Sequence, residues 1–165
     1  MKTPDLDWVL RGGTVWDGLG NDGVCTDVGL SGDRIAAVGN LEGVPARNVF
    51  AANGMWVCPG FIDAHSHSDA YLLIEPAAPS KIHQGVTTEI TGNCGASAAP
   101  RYGGYVMPSD WLEQTYPGGW RSVADYRELL EAQRPAVNSM MLAGHRTLRA
   151  AVMGNEARAA TPEEV

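Results

Sequence analysis

The sequence is poor in cations, poor in cysteine and free of long apolar runs. Its 165 residues contain 12 Lys and Arg against 19 Asp and Glu, a formal net charge of −7. Without a basic cluster, neither nucleic acid nor an anionic membrane surface is an expected partner. No apolar run approaches the roughly 20 residues of a membrane span. The odd number of cysteines, 3 in all, predicts a reduced, cytoplasmic setting.

The residues that are abundant indicate a globular, loop-rich chain. Hydrophobic residues make up 44%, with 20 glycines and 10 prolines. Short β-prone runs between Gly, Asn and Asp corners fill residues 1–58, which predicts a β-rich sandwich segment. Within it, Asn53-Gly54 predicts a two-residue hairpin turn, since both residue types tolerate a positive φ.

From residue 59 onward, strand and helix patterns alternate. This alternation predicts an α/β fold of parallel strands with crossover helices, for which a barrel and a doubly wound sheet are both suitable. The run "SVADYRELLEAQ" predicts an amphipathic helix capped by Ser122. The aromatic, proline- and glycine-rich residues 98–120 predict a long loop over the surface.

The stretch "GFIDAHSHSD" places His65 and His67 one residue apart after an apolar run. If the strand continues through them, residues at i and i+2 share a face, so both imidazoles can reach one metal ion. The C-terminal ends of parallel strands are also where such folds build their sites. The alternative is a His-x-His pair that arose by chance.

The stretch "TGNCG" places Cys94 just beyond the second predicted parallel strand, on the same rim as the histidines. A thiolate there is a suitable zinc ligand. The alternative is a buried free thiol, which is the interpretation given to Cys25 and Cys58. His145, predicted at the end of the third strand, is either a site residue or a histidine hydrogen-bonded to backbone; His83 is expected to be solvated.

Taken together, these residues resemble the amidohydrolase superfamily, specifically its N-acyl-D-amino-acid deacylase (D-aminoacylase) group. "LRGGTVWDGLGN" resembles the β-sandwich segment that precedes the barrel in that superfamily. "CPGFIDAHSHSD" resembles its metal-binding first barrel strand. "SKIHQGVTTEITGNCG" is the most specific piece, because this group uses a cysteine where many amidohydrolases use a carboxylated lysine.

The resemblance implies a hydrolase of the amide bond in N-acyl-D-amino acids, with one or two Zn²⁺ ions held by His65, His67 and Cys94. The partner is a small-molecule N-acyl amino acid, and the oligomeric state is open. The catalytic residue, an aspartate acting as general base, is expected on the last barrel strand, beyond Val165. Residues 59–165 then form a partial (β/α) barrel with about three of its eight strands.

We therefore expect a chain cut in mid-fold, poorly stable and inactive alone, because three strands leave two open edges. Two other functions remain open at this point. One is a cyclic-amide amidohydrolase acting on hydantoin or dihydropyrimidine rings, whose bridging residue is generally lysine. The other is a non-catalytic metal-binding remnant.

Overall fold

The computed structural model describes residues 6–165, which form a mixed α/β chain with two compact units. The first unit ends at Pro59, and the second is Gly60–Val165. The α/β class predicted from the sequence is confirmed. No helix among the described residues is long and apolar enough to cross a membrane.

The first unit is one mixed sheet. Its strands are β1 (Leu6–Val15), β2 (Val24–Ser31), β3 (Arg34–Gly39), β4 (Ala46–Ala51) and β5 (Trp56–Val57). The strand order is β3-β2-β1-β4, with β5 also paired to β1. β1, β2 and β3 are antiparallel neighbours, whereas β4 and β5 run parallel to β1. Residues 6–59 contain no second sheet of a sandwich.

The predicted hairpin at Asn53-Gly54 is wrong. A turn is present, since the N–H of Met55 donates to the carbonyl of Ala52 at 2.9 Å, and Gly54 has a φ of +76°. Asn53 has no positive φ, whereas the type I′ hairpin turn needs one at both central positions. The turn therefore redirects the chain between two strands that both run parallel to β1.

A buried carboxylate joins the strands of the first unit to a loop. Asp27, 8% exposed, accepts hydrogen bonds from the N–H of Gly12 at 2.8 Å and of Leu41 at 3.1 Å. The bond from Gly12 is the main cause that holds the pKa of this carboxyl below its usual value, with a further contribution from the Arg11 guanidinium 3.7 Å away. Asp27 thus ties β1 to the segment after β3.

The second unit contains a parallel three-stranded sheet in the order β6-β7-β8. The strands are β6 (Phe61–Asp63), β7 (Val86–Thr91) and β8 (Asn138–Met141). The helices are α1 (Pro79–Ile82), α2 (Ser109–Leu112), α3 (Val123–Gln133) and α4 (His145–Met153), with a 3-10 turn at Tyr71–Leu73. α3 has the cap expected from the sequence: Ser122 Oγ accepts the N–H of Asp125, whose carboxylate accepts the N–H of Ser122.

The prediction that residues 98–120 form a surface loop is correct for most of the segment, which is irregular apart from α2 and largely exposed, but it does not hold for the tryptophans. Trp111 and Trp120 are almost completely buried, in a cluster that includes Ala98, Ala99 and Met107. The indole N–H of Trp120 donates to the carbonyl of Ala98 at 2.7 Å, which satisfies its buried polar group. The segment is irregular because of its prolines and glycines, yet its aromatic side chains supply much of the core of this unit.

Candidate metal centre

His65 and His67 lie just beyond the end of β6, which stops at Asp63. Strand periodicity is therefore not what aligns them, contrary to the sequence argument. Ser66 between them is 5% exposed, and its N–H donates to the carbonyl of Ile90 at 3.0 Å. Because Ser66 turns inward against β7, the two exposed histidines flank it, and their ring centroids lie 5.4 Å apart.

Cys94 lies in the loop after β7 and meets the histidines. Its Sγ is 3.2 Å from Nε2 of His65. Its φ of +55° lies in the left-handed region, which a non-glycine residue seldom adopts, and Gly92 and Gly95 on either side share this conformation. One donor atom from each of His65, His67 and Cys94 lies within 4.8 Å of the others, and residues 6–165 contain no other such group of three.

The Cys94 loop is fixed from two directions. The Asn93 side-chain amide donates to the carbonyls of Ile90 at 2.8 Å and Ser66 at 3.3 Å. On the other side, the N–H of Thr147 in α4 donates to the carbonyl of Gly95 at 3.1 Å. These bonds attach the loop to β7, to the histidine segment and to α4, and so they fix the position of the thiol.

The remaining histidines lie outside this group of three. The prediction that His145 ends the third strand is wrong, because β8 stops at Met141 and His145 is the first residue of α4. Gly144, with extended backbone, makes the transition to the helix. His83 caps the C-terminal end of α1 and is exposed.

Asp69 is a buried carboxylate close to the histidine segment. It is fully buried, and neither carboxylate oxygen has a hydrogen-bond partner of good geometry among residues 6–165. Desolvation is the main cause that raises its pKa to about 6, while nearby backbone N–H groups and the charge of His67 act in the opposite direction. Its backbone carbonyl accepts a 2.7 Å hydrogen bond from the hydroxyl of Tyr126, which anchors this turn to α3.

Sequence reasoning missed a second charged cluster, formed by Lys81 of α1 with Asp63 and Glu89. Lys81 Nζ lies 2.5 Å from Oδ2 of Asp63 and 3.5 Å from Oε2 of Glu89. One signal was available: Glu89 interrupts the β-branched run "VTTEIT", and a carboxylate in a central strand needs a buried cationic or hydrogen-bonding partner.

A sequence model of the Amidohydrolase family matches residues 48–164. D-aminoacylase of Alcaligenes xylosoxydans xylosoxydans is 46% identical over 161 residues, which cover 97% of this chain and 33% of that protein. These matches confirm the resemblance to the D-aminoacylase group.

Two solved structures are also similar. A D-aminoacylase studied for its binuclear metal center superimposes with a TM-score of 0.87 and 48% identity, covering 96% of this chain and 34% of that one. An N-acyl-D-glutamate deacylase from Bordetella bronchiseptica, complexed with zinc and a phosphonate inhibitor, gives a TM-score of 0.86 and 38% identity. The match covers 98% of this chain and 34% of that one. The chain spans about a third of the length of these relatives. The family model, the sequence identity and the shared fold together show that the chain belongs to the amidohydrolase family.

Proposed function

We propose that this chain is the metal-binding N-terminal part of a zinc-dependent deacylase that hydrolyses the amide bond of N-acyl-D-amino acids. The observation that carries the proposal is the group of His65, His67 and Cys94, whose donor atoms lie within 4.8 Å of one another. The kinship supports it, since a 46% identical relative is a D-aminoacylase. We further propose that residues 1–58 are a β-sandwich segment that supplies one sheet of the sandwich, and that residues 59–165 are part of a (β/α) barrel.

The donor set fits zinc. Zinc binds imidazole nitrogen and thiolate sulfur, and soft thiolate ligands disfavour magnesium and calcium. All three side chains are exposed, so a cation can reach them and the thiol proton of Cys94 can leave to solvent. The positive φ of Cys94 and the hydrogen bonds of its loop hold the sulfur beside His65, which lowers the entropy cost of assembling the ligands.

A divalent cation at this site would polarise an amide carbonyl and lower the pKa of a water molecule, and so would supply a nucleophile near neutral pH. Three residues of this chain would hold that cation: His65 and His67 through ring nitrogens, and Cys94 through Sγ. The carboxylate of Asp63 accepts the backbone N–H of His65 at 3.2 Å, which orients the segment that carries both rings. The general base is proposed to be an aspartate outside residues 1–165.

The test uses the full-length protein encoded by the gene. We expect release of acetate from N-acetyl-D-amino acids, little from the L-enantiomers, and no opening of hydantoin or dihydrouracil rings. The expectation that Cys25 and Cys58 are buried thiols is wrong, since both are exposed. Cys94→Ala should abolish turnover and lower the zinc content, whereas Cys58→Ala, which removes another exposed thiol, should change neither. Ring opening without deacylation would favour a cyclic-amide amidohydrolase, and zinc binding without any turnover would favour a non-catalytic remnant.

A further inference from the structure

Lys81 contacts polar side chains on both sides of the histidine segment. Its side chain is 19% exposed, and its Nζ donates to Oδ2 of Asp63 at 2.5 Å and to Oγ of Ser66 at 3.0 Å. The same ammonium lies 3.5 Å from Oε2 of Glu89. One cation from α1 thus contacts the end of β6, the loop that follows it, and the middle of β7.

Glu89 is the second carboxylate near the Lys81 ammonium. It is fully buried, and its Oε2 accepts hydrogen bonds from the hydroxyls of Ser68 at 2.6 Å and Ser66 at 3.1 Å. Burying a carboxylate is costly unless it is paired and hydrogen-bonded. The two hydroxyls and Lys81 satisfy Oε2, whereas Oε1 has no hydrogen-bond partner among the described residues. The Ser66 hydroxyl therefore has two charged partners, because its Oγ accepts a hydrogen bond from Lys81 and donates one to Glu89.

These contacts connect Lys81 to the segment that carries the two histidines. Asp63, held by Lys81 through Oδ2, accepts the backbone N–H of His65 through Oδ1. Ser66, held by Lys81 through Oγ, is the residue between His65 and His67. Lys81 is thus connected to the backbone N–H of His65 through Asp63, and it contacts the side chain of Ser66 directly. Because Ser66 lies inward, both imidazole rings remain exposed.

We propose that Lys81 is a positioning residue for the metal centre: through Asp63 and Ser66 it holds His65 and His67 in the arrangement that binds the cation with Cys94. This inference rests on the proposed function, because it assumes that the three residues bind a metal. It differs from a purely structural role, in which Lys81 does no more than neutralise the buried charge of Glu89.

The two roles are separated by measuring Co²⁺ affinity in the full-length protein. Co²⁺ is titrated into metal-free protein against a competing chelator, and the thiolate-to-Co²⁺ charge-transfer band reports binding at Cys94. Lys81→Met should weaken Co²⁺ binding about 10- to 100-fold, the usual cost of losing an outer partner of metal ligands. Arg127→Met, which removes a cation from the exposed pair with Glu131, is the matched control and should leave the affinity unchanged.

The double variant Lys81→Met/Glu89→Gln decides between the roles. It gives the Lys81–Asp63–Glu89 cluster the same net charge as in the wild type, so it should recover thermal stability, yet its Co²⁺ affinity should stay as low as that of Lys81→Met. Recovery of wild-type affinity in the double variant would show that Lys81 only neutralises Glu89, and would overturn the proposal.

A further variant covers the case in which both Lys81 variants fail to fold. Ser66→Ala alters no charge, removes one acceptor of Lys81, and should weaken Co²⁺ binding about 10-fold; unchanged affinity would overturn the proposal. If the wild-type protein itself binds no Co²⁺, the proposed metal centre falls together with the role of Lys81. Equal binding by wild type and Lys81→Met would overturn the positioning role alone.

Discussion

Gly92 and the carbonyl oxygen of Leu142 approach so closely that a Cβ added to Gly92 would lie 2.1 Å from that oxygen. The contact holds the start of the Cys94 loop against the residue after β8. Gly92 also has a φ of +76°, so a side chain at this position meets both a steric clash and an unfavourable backbone conformation.

Gly92→Ala is therefore expected to destabilise the protein by about 3 kcal/mol or more, the sum of backbone strain and overpacking. Gly95→Ala is the control, because Gly95 has a similar φ of +80° but an added Cβ would meet only ordinary contacts at 3.4 Å or more. That variant should lose about 1–2 kcal/mol. Chemical denaturation of the full-length protein measures both, and equal losses would contradict the steric argument.

The stability of the first unit should decrease in acid because of Asp27. The folded state holds the pKa of Asp27 below its usual value, so the ionised carboxylate favours folding. This contribution is fully present above the unfolded value of about 3.9 and is lost as the pH falls through the folded value. Hydrogen exchange of the β1 and β2 amides should therefore accelerate as the pH falls from 5 to 3, after correction for intrinsic exchange rates.

Asp27→Asn tests the assignment of this acid effect. The variant should lose about 1–2 kcal/mol at pH 7, through weaker hydrogen bonds from Gly12 and Leu41, and should show a smaller further loss in acid. Asp33→Asn, at an exposed turn position, should behave like the wild type. An acid sensitivity that is unchanged in Asp27→Asn would assign the effect to other carboxylates.

The sequence contains enough local information to predict the principal elements, but not the contacts between distant segments. The capping of α3 follows from Ser122 and Asp125, three residues apart, and the turn at Cys94 from its flanking glycines. Lys81 and Glu89 meet only because α1 packs beside β7, which no local pattern encodes. The burial of Trp111 and Trp120 is not predicted for a related reason: prolines and glycines interrupt the helical or strand periodicity that normally reveals buried aromatic residues.

Tyr126 should stabilise the turn that follows the histidine segment. Its hydroxyl is buried and donates a 2.7 Å hydrogen bond to the backbone carbonyl of Asp69. Tyr126→Phe should reduce the free energy of unfolding by about 1–2 kcal/mol, because the carbonyl loses its partner inside the protein. Tyr102→Phe, which retains the ring beneath Arg121 at an exposed site, should cost less than about 0.5 kcal/mol.

A polypeptide of residues 1–165 expressed alone should self-associate and show no deacylase turnover. The outer strands β6 and β8 of the three-stranded sheet leave Phe61, Ile62 and Met140 at least 59% exposed. Unpaired strand edges with apolar side chains favour association. Light scattering of this polypeptide beside the full-length protein tests the expectation, and a stable, active monomer would contradict it.

Metal removal should lower the stability of the full-length protein, and Cys94→Gly should abolish that effect. A ligand at 100 times its dissociation constant stabilises the folded state by about 2.7 kcal/mol, so zinc should raise the melting temperature of the wild type. Glycine accepts the φ of +55° at position 94, so relief of strain offsets its higher chain entropy and the metal-free variant should remain as stable as the wild type. Cys58→Ala should still respond to zinc. If zinc raised the melting temperature of Cys94→Gly as much as that of the wild type, the sulfur of Cys94 could not be a ligand, and the cation would have to bind elsewhere.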